Sequence, residues 1–436
     1  MYKKAFVYLV MTGILTLCLV GIFSPLAMSK MRISMWTAFP EMFEFEKSAG
    51  RRYEKLHPNV EIEVTLFPQR ALDEKAAAAL PAGEGPDLID FHKIGVYPYH
   101  AAGLMDVVPS DVAEWARENL PAFVFNANVD PRTNRLIILP LYINVECMYY
   151  NKDYFKEAGF TTPPEDIYEQ MMYAEKLVKY DTAGNVTRAG LDLRLSGGAS
   201  GTAQKFWTQA MCPYGVRPID PVGDKWRAGY DNEWGQKALK YYLDAVHKYK
   251  VESLDIKSDA EGFGLGITSM FQRESWVMAY LRDHAPEINY SAFPMPKGPR
   301  SWGGGGTTIG LSVPKSSVHK KETWAFAKWL LNDENSVRLF CEAGWQPIRG
   351  NVDYSEVYKV FPAARVFVEV LNTPEFKLFD YELMPAIDEI HTRIAERLMV
   401  AFKKPELLDP EKLAKVIYDM ANETNRILAD YDLLAK

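Results

Sequence analysis

Residues 31–91 switch twice between a strand-like and a helix-like hydrophobic period, and no other feature of the chain narrows the fold as far. MRISMW at 31–36 reads as a short strand. Met42, Phe45, Ala49, Tyr53 and Leu56 then recur at the spacing of one helix face. His57-Pro58-Asn59 breaks that helix, and Val60, Ile62, Val64 and Leu66 alternate as a half-buried strand does. RALDEKAAAALPAGEG supplies a second helix and a turn, and PDLIDF a third strand. Parallel strands need a long crossover, usually a helix, so this β-α-β-α-β series predicts an α/β fold with a parallel sheet. Ligands of such sheets lie beyond the carboxyl ends of the strands, here residues 36–39, 67–70 and 90–93.

The rest of the chain is less regular. Residues 146–290 read as long helices joined by irregular loops, one helix carrying Tyr168, Met171, Met172, Ala174 and Leu177 and another Ala238, Leu239, Tyr242, Leu243 and Val246. INYSAFPMP at 288–296 is extended, and residues 323–331 form an amphipathic helix containing Trp324 and Trp329. Asp409 followed by Pro410 and Glu411 is a strong start for the last helix.

The N-terminus has the three-part layout of a secretory signal peptide: Lys3-Lys4, an apolar run from Ala5 to Phe23, then Ala27-Met28-Ser29. Residues 1–29 are therefore expected to be removed. An uncleaved anchor is the rival reading, because the run is long enough to span a bilayer. Without that segment the formal charge moves from −7 to 48 − 57 = −9. A mildly acidic chain with no basic cluster is not built to hold nucleic acid, whose phosphates require grouped Lys and Arg. Cys147, Cys212 and Cys341 are sparse and lack CxxC spacing, which argues against a disulfide framework or a zinc site.

The motifs of common catalysts are missing. There is no HExxH, GxSxG, Walker A loop or helix-opening GxGxxG, and the seven histidines show no metal-ligand spacing, so neither metal nor cofactor is expected. Gly303–Gly306 lacks the Lys-Ser/Thr of a phosphate loop and reads as a flexible loop or a place of close backbone approach. Any two of Asp90, Glu146, Glu274 and Glu382 could be paired on paper as glycosidase carboxylates, so counting them decides nothing. The chain is instead rich in aromatic side chains at strand ends and in Gly/Pro-rich connections: Trp36, Phe67, Trp207, Trp226, Trp302 and Trp345. Aromatic faces beside planar polar groups suit a sugar, which presents flat C–H faces ringed by hydroxyls.

One segment carries a resemblance. PLYINVECMYYNKDYFKEAGF at 140–160 is similar to the signature of the family 1 extracellular solute-binding proteins, the sugar-binding receptors of ATP-binding-cassette importers. Pro140, Leu141, Met148, Tyr149, Tyr150, Asn151, Phe155 and Glu157 fit it; Tyr142 and Cys147 stand where smaller or different residues are usual. PDLIDF, INYSAFPMPKGP and GLSVPKSS followed by GWQPIRG resemble further landmarks of the family in the same order, whereas FQRESWVMAYLR departs from it.

The resemblance implies a two-lobed periplasmic-binding-protein fold of type II, each lobe a mostly parallel sheet flanked by helices. The lobes would comprise 30–141 plus 293–345 and 142–292 plus 346–436, joined by a hinge. Tyr149–Phe155 would be buried strand and turn, with ligand contacts just upstream at Tyr142, Asn144 and Glu146. The candidate ligand-binding residues are Trp36, Phe67, Gln69, Asp90, Tyr142, Glu146, Trp207, Trp276, Trp302 and Trp345. The aromatics would stack on sugar faces, while Gln69, Asp90 and Glu146 would bind hydroxyls. The expected protein is a monomeric receptor, periplasmic or on the outer face of the membrane, without catalysis, working with a membrane permease. The same fold holding a non-sugar solute is one alternative, and a secreted glycosidase or lyase another.

Overall fold

The computed structural model describes residues 30–130, 133–380 and 384–436. The segment read as a signal peptide, and Glu382, lie outside the described residues. The strands of the main sheet are β1 (Met31–Thr37), β2 (Val60–Leu66), β3 (Leu88–His92), β4 (Leu139–Asn151), β5 (Met270–Glu274), β6 (Tyr290–Phe293), β7 (Gly303–Ser312), β8 (Gln346–Pro347) and β9 (Lys377–Phe379). They run in the order β5-β4-β7-β3-β1-β2, with β6 and β8 also paired to β4 and β9 to β7.

The β-α-β-α-β series forms as expected. β1 lies parallel to both β2 and β3, Met31 opposite Val60 and Thr37 opposite Asp90. Helix α1 (Pro40–Leu56) buries Met42, Phe45, Ala49 and Tyr53 together with Glu46. Leu56, read as part of that face, is 64% exposed at the last position of the helix. Helix α2 (Gln69–Ala82) closes on Gly83 in the left-handed conformation at φ 74°, where glycine carries no steric penalty.

Beyond β3 the sheet turns antiparallel, which the strand series did not reveal. β7 pairs antiparallel with β3 and β4, and β5, β6 and β8 all pair antiparallel with β4. β4 organises this part. Its first half meets β7 and β8, its second half β5 and β6, so one 13-residue strand joins two sets of partners. With neighbours on both edges, it reads as an almost unbroken buried run. Tyr149 is fully buried against Phe271 and Phe367. Asn151 then caps helix α3 (Lys152–Glu157), its side chain accepting from the Asp153 and Tyr154 amides. The ring-rich stretch after Glu146 is core and turn.

The Gly303–Gly306 run is buried strand rather than loop, and close approach is the reason. A Cβ on Gly303 would lie 2.1 Å from the Lys377 carbonyl oxygen and one on Gly305 2.3 Å from Glu146 Oε2. The helices of the middle section are shorter than their periodicity suggests. α4 (Ile167–Leu177) and α5 (Glu233–Leu243) have 11 residues each, and α5 continues into a π-helical turn, Asp244–Lys248. Tyr168 and Met172 face outward at 54% and 57% exposure, since α4 buries Ile167, Gln170, Met171, Ala174 and Leu177 instead. Asp409 caps the last helix, Pro410–Asp430, as its sequence predicts. No described helix is long and apolar enough to cross a membrane.

Candidate functional site

The charged centre of the molecule lies where β4 passes from one set of partners to the other. Glu146 opposes Glu274 in the β4–β5 register, and both are buried. Lys205 comes from a helical segment whose next turn, Trp207–Met211, is π-helical, and its wholly buried ammonium bonds Glu146 and reaches Glu274 Oε1 at 3.5 Å. The other Glu146 oxygen accepts from the Gln272 amide and, at 3.0 Å, from the Gly305 backbone N–H. Only glycine at 305 lets the carboxylate approach that amide. Arg273 pairs with Glu274 Oε2 at 3.2 Å and Asp259 at 2.8 Å. Burial opposes ionisation of Glu274, but Arg273 and then Lys205 outweigh it and hold the carboxyl below its usual range.

A cavity opens beside this row, lined among others by Asn144, Glu146, Trp207, Thr208, Glu274 and Thr307. Its volume is about 10 Å³, room for about one water molecule. Two buried polar atoms on its wall, Asn144 Oδ1 and Thr307 Oγ1, have no hydrogen-bond partner among the described residues. Thr208 accepts from Gln272 Nε2 at 2.9 Å, so its hydroxyl is positioned by the same network.

A second group connects to the first through Glu274. The Trp276 indole N–H donates to Glu274 Oε2 at 3.0 Å, and its ring lies 6.3 Å from Trp345. Trp345 lies 5.3 Å from Tyr142 and 6.2 Å from Phe39. Tyr142 donates its hydroxyl to Asp90 Oδ2 at 2.8 Å. Behind Asp90 stands Glu46 of α1, fully buried. Burial raises both carboxyls, Glu46 well above its ordinary value with help from the Asp90 charge, and Asp90 up to about 7. Two adjacent buried carboxylates cannot both ionise cheaply, so the pair holds a proton at neutral pH. His92, beside Phe39, is pushed down to about 4 by lost solvation and is neutral there.

Of the ten sequence candidates, Glu146 and Trp207 line the cavity, and Asp90, Tyr142, Trp345 and Trp276 form the connected row. The other four lie apart from these contacts. Trp36 and Phe67 make their own edge-to-face pair at 5.4 Å under the Lys75 ammonium. Gln69 is exposed at the start of α2 and bonds Asp73. Trp302 donates to the Met295 carbonyl at 2.6 Å and packs on Phe376. Sequence reasoning missed Lys205, Thr208, Gln272, Arg273 and Thr307. Gln272 and Glu274, two apart on one strand, were the available signal, since polar residues on a buried strand face require partners.

A long strand with different partners along its two halves, and an indole-and-carboxylate cavity beside the crossing, are the features an α/β solute-binding protein would present. The chain belongs to the family of bacterial extracellular solute-binding proteins, which it matches over residues 38–337. It is similar to the mannitol-binding protein of Pseudomonas aeruginosa, 23% identical over 404 residues, 86% of this chain and 88% of that one. Among solved structures it is similar to a solute-binding protein from Thermotoga lettingae bound with alpha-D-tagatose, at 22% identity and a TM-score of 0.72, covering 92% of this chain and 100% of that one. UgpB from Mycobacterium tuberculosis in complex with glycerophosphocholine is also similar, at 18% identity and a TM-score of 0.75, covering 92% and 99% of the two chains. The fold is that of type II periplasmic binding proteins.

Proposed function

We propose that this chain is an extracytoplasmic receptor that binds a carbohydrate between two lobes and delivers it to the permease of an ATP-binding-cassette importer, without catalysis. The observation that carries the reading is the pair of unsatisfied atoms, Asn144 Oδ1 and Thr307 Oγ1, on a wall shared with the Trp207 indole. An amide oxygen and a hydroxyl left without partners suit a ligand that both donates and accepts hydrogen bonds through hydroxyls, and an indole face suits its C–H surface. Mannitol and tagatose, named for two of the similar proteins, are neutral polyols of that kind.

The lobes would divide as residues 30–141 plus 293–345 and 142–292 plus 346–436. A cavity of about 10 Å³ is far below the roughly 300–1,000 Å³ of a ligand pocket, so its walls must part to admit a sugar. Rotation at the crossings near residues 141–144, 293–296 and 345–349 would do this without unfolding either lobe.

A thermal-shift panel of mannitol, tagatose, maltotriose, sn-glycerol 3-phosphate and glycerophosphocholine tests the reading. A ligand at about 100 times its Kd adds roughly 2.7 kcal/mol, so a true ligand moves the transition clearly. Stabilisation by a neutral polyol without its consumption is the expected result. Response to the phosphate compounds alone would replace the carbohydrate with a phosphoester, and steady appearance of cleaved product would make the protein an enzyme.

A further inference from the structure

Glu146 and Glu274 both line the cavity, whereas the cations that neutralise them do not. Lys205 is wholly buried and spends its charge on these two carboxylates. Arg273, 13% exposed at its side chain, is held between Glu274 and Asp259. Among the described residues, none that lines the cavity is Lys, Arg or His. On the side of α1, Glu41 adds another carboxyl, close enough for the charges of Arg273 and Glu274 to act on it.

We infer that Glu146 and Glu274 form a charge filter, admitting neutral polyols to this cavity and excluding phosphorylated ones. The inference rests on the carbohydrate reading for what enters, and adds which residues decide what does not. Carboxylate oxygens accept hydrogen bonds from sugar hydroxyls. A phosphate, an acceptor with negative charge, meets carboxylate oxygens on the cavity wall, while the cations paired with them stand behind and outside the lining. Like charges repel more strongly in such a partly desolvated site than in bulk water, which disfavours the anion. Lys205 is a positioning residue for both carboxylates, and Arg273 for Glu274.

The geometry makes the filter reversible by charge removal. In Glu274→Gln, Arg273 retains Asp259 but loses its second carboxylate, and Lys205 retains only Glu146. In Glu146→Gln/Glu274→Gln, Lys205 has no carboxylate, and its positive potential extends into the cavity.

The test titrates inorganic phosphate against wild type and both variants, following thermal unfolding with chloride at equal ionic strength as the reference. Wild type should show no saturable stabilisation. Each carboxylate removed should lower the apparent Kd for phosphate at least about tenfold, the scale of one partly buried charge contact. A parallel titration compares mannitol with mannitol 1-phosphate, where the wild-type preference for the neutral form should shrink by a similar factor in Glu274→Gln. Circular dichroism checks folding, and Glu274→Gln alone decides the matter if the double variant fails to fold. Saturable stabilisation of wild type by phosphate overturns the filter, as do folded variants that gain none. Because phosphate binding is read without any sugar, failure of the carbohydrate reading shows separately, as a wild type that no neutral polyol stabilises.

Discussion

Tyr142 donates its phenol to Asp90 Oδ2 over 2.8 Å, tying the crossing strand β4 to the middle of β3. Neither group has water to fall back on, since both are fully buried. Tyr142→Phe should therefore cost about 1–3 kcal/mol, the penalty of an acceptor left without its donor, measured by denaturant unfolding at neutral pH.

The same carboxyl sets a pH dependence. Burial lifts Asp90 to about 7, above the value near 4 of an unfolded aspartate. A raised pKa means that the folded state holds the proton more tightly. The stabilisation is fully present below pH 4 and is lost as pH rises through 7. Asp90→Asn removes this slope, so its unfolding free energy should gain on wild type between about pH 4 and 7. Parallel curves for the two proteins over that window would refute it.

Gly303 should not tolerate a side chain. Its added Cβ would sit 2.1 Å from the Lys377 carbonyl oxygen, a backbone atom held in the parallel β7–β9 pairing. Gly303→Ala is expected to cost about 1–3 kcal/mol through overpacking. The Lys377 amide, which donates to Trp302 O at 2.9 Å, should exchange its hydrogen faster in the variant. Unchanged exchange there would mean that β7 yields instead of β9.

Indoles in different settings should respond differently to truncation. Trp207→Ala and Trp276→Ala should weaken binding of the stabilising polyol by about 1–3 kcal/mol, the range of aromatic anchors. Trp36→Ala should leave affinity nearly unchanged and lower stability, because its ring is engaged by Phe67 and Lys75. Calorimetric titration beside thermal unfolding separates the two effects; affinity lost only with Trp36→Ala would move the site to the β1–β2 end.

Hinge closure should be visible in solution. Small-angle scattering at saturating polyol should give a smaller radius of gyration than the ligand-free protein, in step with occupancy. An unchanged radius at saturation would leave a cavity that admits its ligand by side-chain motion alone.

The local pattern carried the first three strands and two helices to within a residue or two, together with Asp409 as a cap, because periodicity and capping are properties of neighbours in the chain. The motif around residues 140–160 likewise carried the family. Only the tertiary structure decided which polar groups are occupied and which are left for a ligand. Glu146 meets Lys205 across 59 residues and Gln272 across 126, and nothing in the periodicity at any of the three positions records those meetings. At Gly303–Gly306 the sequence left a flexible loop and a close backbone approach both open, and only the placing of β9 and Glu146 against the run decides for close packing. Burial of an apolar face is written locally. The pairing of charges is not, because it depends on where distant segments cross.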